Sequence, residues 1–294
     1  MCSSNIEFAQ RAKYGFAALL LSAIGAQADS GSRLLATGGA STIEGAAGGG
    51  IVPMAVLAGY GTREENGGAV FVSRVDTKDY RLDVIGAAWT LYDRVELSVA
   101  RQELHIDTLA KALGVHNDVI SENIVGAKVR VYGDLVYTAW PELSVGAQYK
   151  KNQDFFIPKA AGAREDADMD YYIAASKLFL GAVGGHNLLL NGVGRYTRAN
   201  QTGLVGFGGD KNNAREWMFE GSAGVFLTKR WIIGAEYRQK PDNLSFAREQ
   251  DWRDVFIGWF PAKQWSIVAA WVDLGDIATL ENQNGWYLSL QGSF

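Results

Sequence analysis

The 294-residue chain has one cysteine, Cys2, and five prolines. A single thiol cannot close an intramolecular disulfide, so no disulfide framework holds this chain together. Scarce proline leaves long stretches free to pair as strands, because proline removes a ladder donor. No run reaches 18 consecutive apolar residues, which excludes a transmembrane helix, since that needs about 20. Positive charge is not in excess: 28 Lys and Arg stand against 32 Asp and Glu, a net charge of −4. That balance argues against a nucleic-acid partner, which wants a clustered basic surface. The three histidines, His105, His116 and His186, fall in or beside loops at separations that give no metal-ligand spacing. No G-x-S-x-G occurs, and no strand-body histidine neighbours a serine. The histidines therefore offer no metal site, and the sequence offers no catalytic residues and no cofactor.

What is present is glycine (35), tryptophan (9) and tyrosine (12), arranged with a period of two. The last nine residues show it best: Trp286, Leu288, Leu290 and Phe294 share one parity, and Tyr287, Ser289, Gln291 and Ser293 the other. A strand with that period has one apolar and one polar face. As an uncovered last strand it would be an aggregation hazard, whereas a strand that closes a barrel has no free edge. It resembles the closing, assembly-signal strand of bacterial outer-membrane barrels, which typically ends in Phe. At the other end, Arg11 and Lys13 precede the apolar run Gly15–Gly25 and the site Ala26-Gln27-Ala28. That is the pattern of a cleaved secretory signal, predicting a signal peptide over 1–28 and a barrel domain over 29–294.

Segments of about ten alternating residues recur along the chain. Clear ones include Val95–Val99, Val125–Val131, Leu143–Tyr149, Trp217–Val225 and Trp231–Tyr237; weaker ones include 33–45 and 51–61. Counting all of them predicts an all-β, antiparallel transmembrane β-barrel of about 14 strands, with 12 as the alternative. Connections on one side are mostly tight, such as Tyr92–Asp93 and Lys229–Arg230, and on the other mostly long, such as 106–119 and 152–169. Short turns on one side and long loops on the other is the outer-membrane arrangement, and it puts both termini on the periplasmic side. Trp217, Trp231, Trp252, Trp259, Trp265, Trp271 and Trp286 fall near strand ends with Tyr92, Tyr132, Tyr171 and Tyr172, as interfacial girdles do. The glycine-rich segment 37–50 dilutes its own strand pattern and has a second possible place, folded inward as a partial plug.

Several stretches carry a family resemblance: Thr37-Gly38-Gly39, Ile43–Gly50, Ala58–Thr62, Tyr92–Ser98, Gln148–Asn152, Gly208–Asn212 and Lys240–Ser245. From Thr37 to Phe294 the chain resembles an uncharacterised proteobacterial family, a domain of unknown function taken to comprise outer-membrane β-barrel proteins. The resemblance implies a Gram-negative outer-membrane location and a porin-like architecture. It implies no substrate and no site residues.

The polar parity carries the functional signal. Glu96, Lys128, Arg130, Lys150, Lys177, Arg195, Glu220, Glu236, Arg238 and Asp254 are predicted to face the lumen, because a Lys or Arg facing lipid at mid-bilayer costs about 2–4 kcal/mol. Those residues either line a conduit and set its selectivity or pair and pack the lumen shut. Asp166, Asp168 and Asp170 alternate, so they are either a cation loop or the start of a strand. Three functions follow in order of fit: a channel or transporter for small or apolar solutes, a sealed structural barrel presenting loops, and an outer-membrane enzyme. The expected partners are outer-membrane lipid, lipopolysaccharide and the barrel-assembly machinery, with oligomeric state open.

Overall fold

The computed structural model describes residues 34–115 and 117–294; the signal peptide expected over 1–28 lies outside them. Consecutive antiparallel strands run β3 (Gly67–Thr77), β4 (Arg81–Leu91), β5 (Val95–His105), β6 (Val119–Tyr132), β7 (Glu142–Asn152) and β8 (Ala167–Val183). They continue as β9 (His186–Thr197), β10 (Glu216–Phe226), β11 (Trp231–Arg238), β12 (Trp252–Ala262), β13 (Trp265–Asp273) and β14 (Asn284–Ser293). β14 pairs with β3, from Gly285 opposite Thr77 to Ser293 opposite Ala69, and the sheet closes. Among the described residues the barrel has twelve strands, the alternative count and not fourteen.

The two strands lost are the segments 33–45 and 51–61. A wall strand must show one face to lipid, yet every residue from Ala40 to Gly61 is buried. These residues form a plug inside the lumen, whose only ladder is a short hairpin of β1 (Ala40–Ser41) and β2 (Ala47–Gly48). Glycine lets the plug backbone approach the wall. Gly59 has φ +76°, and a Cβ there would lie 2.3 Å from the Gly68 nitrogen, so a side chain is excluded by both conformation and space.

Outward residues form an apolar band. Val99, Val125 and Tyr149 are register partners on β5, β6 and β7 and all are exposed. Aromatic pairs ring the band at both ends. At the short-turn end Trp231 stacks on Trp259 with centroids 5.4 Å apart, and Trp89 meets Phe294 at 5.3 Å. At the long-loop end Trp271 meets Trp286 at 4.9 Å and Tyr196 meets Trp217 at 5.3 Å. This double girdle around an apolar band is that of a barrel spanning the bacterial outer membrane. Two aromatics expected in the girdles face inward instead: Trp252 and Tyr172 are buried, with Lys240 4.9 Å from the Trp252 ring and Arg195 5.2 Å from the Tyr172 ring. Cations inside the lumen draw these rings in, because an aromatic face attracts a desolvated cation.

The closing strand behaves as a seam. Trp286 and Leu288 are exposed on the outer face, Leu290 shares their parity opposite Val72, and Phe294 exchanges backbone hydrogen bonds with Gly68, each 3.0 Å. Phe294→Ser removes the Trp89 contact, worth about 0.5–1.5 kcal/mol beyond its buried area. The expected outcome is a lower level of heat-modifiable barrel in outer-membrane fractions; an unchanged level would show that the seam does not need the ring.

Candidate functional site

Alternation on β7, β9 and β11 turns Lys150, Arg195 and Arg238 toward the barrel axis, where all three converge on Glu44 of the plug. Arg238 grips the carboxylate with both ends of its fork, Nη1 to Oε2 at 2.8 Å and Nη2 to Oε1 at 2.9 Å. Arg195 Nη2 lies 3.2 Å from Oε2, and Lys150 Nζ bonds Oε1. The same cations meet wall carboxylates: Lys150 with Asp170 at 2.7 Å, Arg195 with Glu220 at 2.5 Å, and Arg238 with Glu220 at 3.2 Å. All six side chains are buried. Stripping water from such ions costs several kcal/mol each unless partners replace it, so the cluster is interdependent.

Two further anchors flank it. Glu236 Oε2 accepts the Gly50 and Ile51 N–H groups at 2.7 and 2.8 Å, and two successive N–H groups make an anion cradle. A Cβ on Gly49 would come 1.9 Å from Glu236 Oε1, so a side chain there would push this carboxylate out of its cradle. Toward the short turns, Glu96 accepts from the Ala47 and Ala58 N–H groups at 3.2 and 2.8 Å, and Lys128 donates to the Ala47 and Met54 carbonyls at 3.1 and 3.2 Å. Below these lies an apolar cavity of about 40 Å³ between the plug's Met54 and Val56 and the wall's Phe226, Ile232 and Phe256.

The long-loop end is covered. α1 (Asp107–Leu113) packs Leu109 and Ala110 into the core with Ile43 and Ile277. A second short helix, α2 (Phe156–Ala160), buries Pro158. The loop 198–215 dips into the lumen, where the Thr202 carbonyl accepts from Lys150 at 2.9 Å and the Leu204 carbonyl from Asn152 at 2.7 Å. It is clasped from above by 239–251. The Ser245 hydroxyl and N–H bond the Asp210 carboxyl and hold it below its usual range.

Of the ten residues expected in the lumen, Glu96, Lys128, Lys150, Arg195, Glu220, Glu236, Arg238 and Asp254 are buried inside it. Arg130 and Lys177 sit at the short-turn mouth, Arg130 tied to Asp93 at 2.6 Å and Glu142 at 2.9 Å, and Lys177 to the Asp134 carbonyl at 3.3 Å. Lys128, Arg130 and Lys150 thus form no common cationic patch; each has its own carboxylate, Lys128 meeting Glu96 at 3.2 Å. Glu236 and Arg238 also part: Arg238 joins the central cluster, whereas Glu236 bonds Ser222 at 2.8 Å and lies opposite Asp254 in register.

Sequence reasoning missed Glu44, although it is the only charged residue between Arg33 and Arg63. One acid isolated in a long uncharged stretch was the available signal. The acidic run is the start of β8: Asp168 pairs with Arg198 and Arg215, and Asp170 accepts from the Thr197 hydroxyl at 2.5 Å and pairs with Lys150. No group of three potential metal ligands occurs among the described residues. His105 is 3.5 Å from Asp83, His186 Nδ1 lies 3.1 Å from the Phe226 carbonyl, and His116 lies outside the described residues.

Solved outer-membrane proteins align with this chain at low identity. The KdgM porin aligns at TM-score 0.49 and 10% identity, covering 77% of this chain and 99% of its own. Omp33 of Acinetobacter baumannii aligns at 0.45 and 9%, covering 77% and 97%. An outer membrane channel of Pseudomonas putida F1 aligns at 0.40 and 14%, covering 78% and 94%. At these identities and scores nothing about solute or mechanism passes from them to this chain. No curated protein sequence matches it. A family model described as Protein of unknown function (DUF3034) matches residues 37–291, and the chain belongs to that family.

Proposed function

We propose that this barrel is a gated conduit for small solutes across the outer membrane, with residues 34–61 as the gate and the short-turn end, with both termini, facing the periplasm. One observation carries the reading. Every ion pair between wall strands joins neighbours around the circumference, such as Lys128–Glu96, Lys150–Asp170 and Arg195–Glu220. The wall does not draw itself shut; the contacts that fill its centre run through the plug and the dipping loop. A plug that withdraws leaves a polar, charge-lined passage, and such linings set selectivity.

A sealed barrel that only displays its loops is the second reading, and the plug's apolar packing favours it: Ile51, Val52 and Leu57 are fully buried. Planar-bilayer recording in urea separates the two. Wall hydrogen bonds lie in lipid and resist urea, whereas the plug's polar anchors lie in the lumen and yield to it. Cleavage after Glu44 by a glutamate-specific protease reports when the plug is out. The expected result is conductance that appears with that cleavage-sensitive state and vanishes when urea is washed out before protease is added. Release of the plug without conductance above background would leave only the sealed barrel. An enzymatic role has no supporting constellation among the described residues.

A further inference from the structure

Resting on the gated-conduit reading, we infer that Lys150, Arg195 and Arg238 form a binding site for small monocarboxylate solutes, in which Glu44 is a built-in stand-in, so that a carboxylate solute competes with the gate.

The charge count motivates this. Three cations converge, yet only two wall carboxylates, Asp170 and Glu220, lie within ion-pair reach of them. Glu122, buried on β6, makes no ion pair among the described residues. The third negative charge comes from the plug. When the plug withdraws, these three cations keep only two carboxylates within ion-pair reach, and a narrow lumen with that local excess of positive charge concentrates anions at the place Glu44 held.

The geometry specifies the anion. Glu44 Oε1 receives Lys150 Nζ and Arg238 Nη2; Oε2 receives Arg238 Nη1 and lies 3.2 Å from Arg195 Nη2, which itself donates to Glu220 Oε2. Two coplanar oxygens gripped by one arginine fork, with an ammonium on one oxygen and a second guanidinium beside the other, is the recognition pattern of a carboxylate. A phosphate would bring a charge of about −1.5 to −2 and further oxygens, next to Asp170 and Glu220. The remaining donors are already engaged: Arg195 Nη1 with Gln148 Oε1 at 2.8 Å and Lys150 also with the Thr202 carbonyl at 2.9 Å. The three cations hold Glu44 through its carboxylate, a group that a solute can present equally well.

The test is chemical rescue in the full mature chain. Glu44→Ala removes the stand-in and leaves a carboxylate-sized space, whereas Glu44→Gln removes the charge but fills the space. Thermal unfolding is followed in detergent at neutral pH with sodium acetate or sodium chloride at equal ionic strength. The expected result is a lower Tm for both variants, with acetate raising the Tm of Glu44→Ala saturably above the chloride value. Glu44→Gln and wild type should respond alike to the two salts. If Glu44→Ala fails to refold in chloride, refolding yield becomes the readout, and a higher yield in acetate supports the site. Acetate no better than chloride in Tm and in yield would overturn it, as would phosphate rescuing as well as acetate. Melting requires no current, so this inference can fail while urea-dependent conductance stands, and the conduit can fail while acetate still binds.

Discussion

Arg238→Ala is expected to destabilise the closed state by about 3–5 kcal/mol, the usual cost of removing one partner from a buried ion cluster. Arg238 is 3% exposed and serves three partners: both Glu44 oxygens, Glu220, and the Ile51 carbonyl at 3.0 Å. Truncation leaves two carboxylates buried with too few cations and frees the plug on both sides of the Glu236 cradle. Because the wall's own ladder is untouched, the loss should fall on the gate. The variant should still migrate as a heat-modifiable barrel, yet be cut after Glu44 without urea and conduct in planar bilayers under conditions where wild type is closed. Arg238→Lys separates charge from shape: it restores the cation but not the fork, so it should rescue only part of the protection. A variant as resistant to cleavage after Glu44 as wild type would show that the cluster does not hold the plug.

Val125→Arg is the second large effect. Val125 lies midway along β6 on the outer face, between Val99 and Tyr149 in register, and is 56% exposed. A charge there meets hydrocarbon and should cost about 2–4 kcal/mol, whereas near the interface the same charge costs about 0–1 kcal/mol. Tyr132, at the end of the same strand and exposed beside Trp140 at 6.5 Å, supplies the interfacial comparison. Urea titration of folding into lipid vesicles should therefore rank wild type and Tyr132→Arg close together and Val125→Arg well below. Equal penalties at the two positions would mean that β6 does not cross a bilayer in this register.

The wall was legible in the sequence because its rule is local. A strand between lipid and lumen must alternate, and Leu143 to Lys150 or Trp231 to Arg238 show the period without any knowledge of their neighbours. The parity of the charged residues followed from the same rule, so eight of the ten proposed lumen residues lie inside. The register that sets Lys150 against Asp168 and Asp170's neighbour Gln148 against Asp170 was not legible, because it is fixed by the tilt and closure of the whole sheet.

The plug was legible only as a second place for the glycine-rich segment 37–50. Residues 34–61 have enough apolar alternation to pass for two strands, and only enclosure decides otherwise: Ala40–Gly61 is buried on every side, which no lipid-facing strand can be. The role of Glu44 likewise exists only in three dimensions. Its partners lie 106, 151 and 194 positions away along the chain, and nothing near it in sequence signals that three cations will meet there. By itself, then, the sequence determined a closed antiparallel wall with an apolar outside and a charged inside, because those are matters of period and of the cost of charge in lipid. Tertiary structure alone decided what fills that inside and which charges answer one another, because ion pairing in a closed lumen depends on distances that only the finished barrel sets.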